Sequence, residues 1–107
     1  MYADPHALLR LAAELRARGS RLRRLADAVV RDAAAVDWHG ASADAMRRAA
    51  RLGRDQLDGL ADQHDRAADL LTEHAHLVAH RLSIVLETVD AAVDAVQHAV
   101  GWLRDAA

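Results

Sequence analysis

Apolar residues recur along this chain in steps of three and four. Leu8, Leu11, Leu15, Gly19, Leu22, Leu25, Val29, Ala33 and Val36 make one such stripe. That spacing is the signature of a single amphipathic helix about 30 residues long. A second run follows: Met46, Ala50, Gly53, Leu57, Leu60, His64, Ala67, Leu71, Ala75, Val78, Leu82, Val85, Val89, Ala92, Val96, Ala99 and Leu103. It is close to a heptad repeat, with a four-residue stutter expected near Leu71. Read without a break, it is a helix of about 60 residues, near 90 Å long. The first helix matches only about half of that. Either the second helix overhangs or it breaks around His80 to Ser83, where serine would cap a third helix.

The ends of these runs are marked. Asp4-Pro5 opens the first helix, with Asp4 capping free N–H groups and Pro5 in the first helical turn, where a missing donor costs nothing. No later proline forbids helix. Between the runs lies Val36-Asp37-Trp38-His39-Gly40-Ala41. Gly40 allows a backbone conformation closed to other residues, so the chain can reverse there. Asp44 falls in the first turn of the next helix, where the macrodipole favours negative charge. Trp38 is expected to wedge between the helix ends and bury its apolar body. The expectation is an all-α hairpin forming one domain over residues 1–107: helix 1 over about 4–36, a turn at 37–41, helix 2 over about 42–80 and a helical segment over about 82–105. Gly19, on the first stripe, is read either as a point of close helix approach or as a kink.

The C-terminal segment differs from the rest. Ser83, Glu87, Asp90, Asp94, Gln97 and Gly101 form a narrow polar stripe, and nearly everything else from Leu82 to Leu103 is apolar. So broad an apolar surface calls for cover from more than one side.

Composition sharpens the picture. Aromatic residues are 3% of the chain and phenylalanine is absent. A core of Ala, Leu and Val buries little area per residue, so a partner chain is expected to complete the burial. With no cysteine, disulfides and thiolate metal sites are excluded. All basic residues are arginine, and the net charge of -2 gives no bulk attraction to nucleic acid. Arg21-Leu22-Arg23-Arg24 is read as a solvated face, with no nucleic-acid partner. No charged-then-apolar signal peptide starts the sequence, and no apolar stretch is long enough to span a bilayer. Seven arginines between Arg10 and Arg31 face only Glu14 and Asp27 in that span, whereas the segment from Leu82 onward is acidic.

The size, the two long helical runs and Trp38-x-Gly40 at their only junction resemble the WXG100 (ESAT-6-like) family. "WHGASADAMR" is similar to the run that commonly follows the W-x-G bend in that family. The resemblance spans roughly Asp4 to Arg81. It implies a four-helix bundle made from two hairpins, as a homodimer or as a heterodimer with a sister protein or with the helical N-terminal region of a secreted effector or toxin. It also implies export by the type VII (ESX) secretion machinery without a cleaved signal peptide; the alternative location is the cytoplasm. Tyr2 is the only tyrosine, so the family's C-terminal Y-x-x-x-D/E signal is missing. The chain is then either carried by a partner's signal or not exported.

Candidate chemistry is thin. Glu73, His74, His76 and His80 supply one E-x-x-H pair and an i, i+4 histidine pair, a spacing used in di-metal bundles. A second E-x-x-H and further inward glutamates are lacking, so no metal or other cofactor is assigned. His64, on the stripe, is read as a partly buried, hydrogen-bonded residue. Ser20, Ser42 and Ser83 sit in no nucleophile setting, and no enzyme is expected. The residues expected to matter are therefore the turn pair Trp38 and Gly40, and the interface positions Leu11, Leu15, Leu22, Leu25, Leu57, Leu60, Leu71 and Val78. A helical metal-binding bundle and a cytoplasmic coiled-coil scaffold are the alternatives to a secretion partner.

Overall fold

A computed structural model describes residues 4–106. Two helices account for nearly all of them: α1 over Pro5–Ala35 and α2 over Ala41–Ala106. Asp4 is the N-cap of α1; its Oδ1 accepts from the His6 N–H at 3.0 Å, and Pro5 follows in the first turn. At the far end Val36 adopts an extended conformation and stops the helix. Gly40 has φ +104, a value that a Cβ disfavours, and its carbonyl accepts from the Asp44 N–H at 3.0 Å as α2 begins.

The helices run antiparallel. Arg16 pairs with Asp69 and Arg23 with Asp62 and Asp65, so numbers rise along α1 as they fall along α2. α1 has 31 residues and α2 has 66. Of the two readings left open by the sequence, the overhang is the one adopted: α2 passes through His80–Ser83 without a break, and Ser83 caps nothing. The result is a rod of 100 × 16 × 14 Å. Its radius of gyration is 27.5 Å, where a compact chain of this length would have about 13 Å.

The seam between the helices is built from alanine. Ala12, Gly19, Ala26 and Ala33 are the buried residues of α1, each seven after the last. Ala61, Ala68 and Ala75 follow the same interval on α2. Among the described residues no large side chain is fully buried. A small residue once per heptad on both helices lets the two backbones approach closely. Gly19 marks that approach: a Cβ there would lie 3.0 Å from Asp65 Oδ1 and 3.3 Å from the Ala61 carbonyl oxygen. Close approach, rather than a kink, is what Gly19 permits.

This seam shifts the phase read from the sequence. The contact line on α1 is Leu8, Ala12, Leu15, Gly19, Leu22, Ala26, Val29 and Ala33, stepping strictly by four and three. Leu11 and Leu25, expected on it, fall to one side. On α2 the line passes through Leu57, Ala61, His64, Ala68, Leu71, Ala75 and Val78, so Ala61 and Ala68 replace Leu60 and Ala67. With that phase the repeat has no stutter at Leu71, and it continues to Leu103.

Candidate functional site

Two edges flank the alanine seam, and they differ. On one edge the charged groups meet. Arg16 Nη2 lies 3.2 Å from Asp69 Oδ1 and donates to Thr72 Oγ1 at 3.1 Å. Arg23 Nη2 lies 2.8 Å from Asp62 Oδ1 and 2.7 Å from Asp65 Oδ2. Hydrogen bonds to those two carboxylates raise the Arg23 pKa above its ordinary value, so the guanidinium stays charged at any working pH. These pairs are solvent-accessible and contribute modestly.

The other edge is apolar and open. Leu11, Leu25 and Leu60 are 43%, 52% and 42% exposed. Leu15, Leu22, Leu57, Leu71 and Val78 sit on the seam line beside them and are half-buried. Leu22 and Leu25 from α1 meet Leu60 and His64 from α2 around a shallow groove of about 290 Å³, bordered by Arg18 and Arg21. The residues expected at an interface thus divide: Leu15, Leu22, Leu57, Leu71 and Val78 share the seam with the fully buried alanines, and Leu11, Leu25 and Leu60 line its open edge. His64 is half-buried, with Nδ1 2.8 Å from the Leu60 carbonyl oxygen, the geometry of a ring N–H donating to that carbonyl.

The elbow carries a feature that the sequence reading missed. Arg47, in the second turn of α2, reaches back across the bend. Its Nε donates to the Ala33 carbonyl at 3.2 Å, and its Nη2 to the carbonyls of Val36 at 3.0 Å and Trp38 at 2.8 Å. Helix C-termini leave carbonyls without intrahelical partners, and a cation there also complements the dipole. Trp38 donates its N–H to the Val36 carbonyl at 2.9 Å, and its side chain is 44% exposed. The indole is therefore not the buried wedge expected; its backbone, clasped by Arg47, shapes the bend. His39 and Asp37 pair at 3.2 Å on the outer surface, both nearly fully exposed. The one available signal for Arg47 was an arginine one turn after a helix start that follows a bend.

Glu73, His74, His76 and His80 are all exposed on α2. Among the described residues no three histidine or acidic side chains converge as a metal site. Nor is any helix of the described residues long and apolar enough to cross a membrane.

No family model, curated protein or solved structure matches this chain.

The accessible surface of the chain is 8115 Å². A compact monomer of 11.6 kDa would expose about 5,800 Å². The excess, roughly 2,300 Å², is on the scale of a sizeable protein–protein interface. It follows from the rod shape, 100 Å long and 16 × 14 Å across.

Proposed function

We propose that the chain is a WXG100-like helical hairpin of a type VII (ESX) secretion system and that it works by binding another helical hairpin. The partner is a second WXG100-like protein, this chain itself, or the helical N-terminal region of a secreted effector. Its action is burial: the leucine edge joins that of the partner and completes a four-helix bundle. The complex then leaves the cell without a cleaved signal peptide, on the partner's export signal if this chain has none. The observation that carries this reading is the placement of leucine. A hairpin that reverses at Trp38-His39-Gly40 fully buries only alanine and glycine in its own seam, half-buries Leu15, Leu22, Leu57 and Leu71, and leaves Leu11, Leu25 and Leu60 open along one edge. Burying a leucine contributes about 1.5–3 kcal/mol, so association has apolar stabilisation still to gain.

Co-expression tests this. The chain is produced with a W-x-G protein or large effector encoded beside it, and the complex is sized and melted. A stable complex is expected, with a higher Tm than either part. Leu25→Asp with Leu60→Asp should abolish it, whereas Leu52→Asp, on the face of α2 opposite the seam and 61% exposed, should not. Failure of every neighbouring helical protein to bind, or a complex indifferent to Leu25→Asp and Leu60→Asp, refutes the proposal.

A further inference from the structure

Pro5 and Leu9 lie beside Ala75, Leu82 and Leu86, so α1 starts at that level of α2. Beyond it α2 runs on for about 24 residues, roughly 36 Å at 1.5 Å per residue. Every residue from Arg81 to Val100 is exposed. Yet the contact line does not end with α1. Leu82, Val85, Val89, Ala92, Val96, Ala99 and Leu103 continue it in the same phase as Ala68, Leu71, Ala75 and Val78. The overhang has the seam of a coiled coil and lacks the second strand.

We infer that the second strand is the same segment of a second copy, laid antiparallel. Three observations choose this occupant. The first is size. When two overhangs cross head to tail about Asp94, Val85 of one copy faces Leu103 of the other, Val89 faces Ala99 and Ala92 faces Val96. Each alanine layer is then filled by a valine. A parallel pair instead stacks Ala92 on Ala92 and Ala99 on Ala99, which leaves gaps that close packing disfavours. The second observation is charge. Glu87, Asp90 and Asp94 lie on the helix face away from the seam, so the antiparallel pair buries no carboxylate. The third is extent. The overhangs cover each other completely, and the tip of each reaches the start of the other copy's α1. There an open groove of about 500 Å³ is lined by Val78, Arg81, Leu82, Ile84 and Val85. Trp102, 70% exposed in the single chain, arrives at that end. The flanks agree as well, with Leu86 of one copy beside Val100 of the other. The product is a long rod with a hairpin at each end and both leucine edges free. It does not depend on the function proposed above.

Light scattering of the full-length chain, eluting from a sizing column at micromolar concentration, reads the state. Val89→Asp with Val96→Asp should halve the molar mass and weaken self-association about a hundredfold or more, because each charge would be buried unpaired. Circular dichroism should show that the hairpin persists. Leu25→Asp with Leu60→Asp should leave the tail contact intact, which separates failure here from failure of the leucine-edge proposal. The chain has no cysteine, so single thiols report orientation. Copies carrying Leu86→Cys mixed with copies carrying Val100→Cys should join through a short bifunctional thiol reagent. A monomeric full-length chain, a mass unchanged by Val89→Asp and Val96→Asp, or Leu86→Cys copies joining to one another overturns the inference.

Discussion

Replacing Arg47 by alanine tests how the hairpin is held at its bend. The guanidinium donates to three carbonyls, those of Ala33, Val36 and Trp38, at 3.2, 3.0 and 2.8 Å. A hydrogen bond from a charged donor contributes about 1.5–3 kcal/mol net, and a neutral one about 1. Water replaces the guanidinium readily at Val36 and Trp38, which are exposed, so those two bonds fall to the low end. The Ala33 carbonyl is part-buried and loses more. Alanine regains a few tenths of a kcal/mol in helix propensity. The net loss is about 2 kcal/mol. For a domain of this size that corresponds to a fall in Tm of roughly 8–16 °C. Urea unfolding followed by helical circular dichroism, at one fixed protein concentration, measures it. Arg47→Lys supplies the charge without the planar fork and should recover less than half of the loss. Were Arg47→Ala within about 0.5 kcal/mol of the parent, or Arg47→Lys equal to the parent, the three-carbonyl clasp would not be what fixes the elbow.

Other expectations follow from the same geometry. Gly19→Leu should cost about 1–3 kcal/mol by overpacking, because even a Cβ there meets Asp65 and the Ala61 carbonyl; thermal melts detect it, and a stabilised variant would mean that the helices part freely. Trp38→Ala should cost about 2 kcal/mol, near half the usual value for a buried aromatic, since the indole is 44% exposed; a loss above about 4 kcal/mol would show deeper packing. Arg23→Ala should lower the melting temperature slightly in dilute buffer, and the difference should vanish in about 1 M salt, where screening acts within about 3 Å; a salt-independent loss would point to packing by its aliphatic stem instead.

Much of the architecture was legible in the sequence. Pro5 behind Asp4 marked one helix start, and Trp38-His39-Gly40 located the bend between the helices. The choice between a broken and an unbroken second helix was not legible, because Ser83 is as compatible with a helix interior as with a cap. The burial phase was misread for a physical reason. Leucine outranks alanine in hydrophobicity, so Leu11, Leu25 and Leu60 drew the contact line toward themselves. In two closely spaced helices, size decides instead, and the smallest residues occupy the centre. The sequence did contain the sign: through Ala12, Gly19, Ala26 and Ala33 the steps alternate four and three without exception, while the leucine-rich path does not. Of the interface positions, Leu22, Leu25 and Leu60 are brought together around one groove, and Leu11 stands farther along the same edge. Arg47 escaped notice because its partners are backbone atoms, which composition and periodicity do not reveal.

The seven-residue interval has one more consequence. Slide α1 along its neighbour by a heptad, about 10 Å, and Arg16 would find Asp62 while Arg23 would find Asp55, so the ion pairs alone accept the shift. The small residues resist it, because the position seven before Ala61 is Arg54. The elbow from Val36 to Gly40, closed by Arg47, resists it too, being too short a tether to yield about another 10 Å: it is the zero mark of a ruler whose charged divisions are alike.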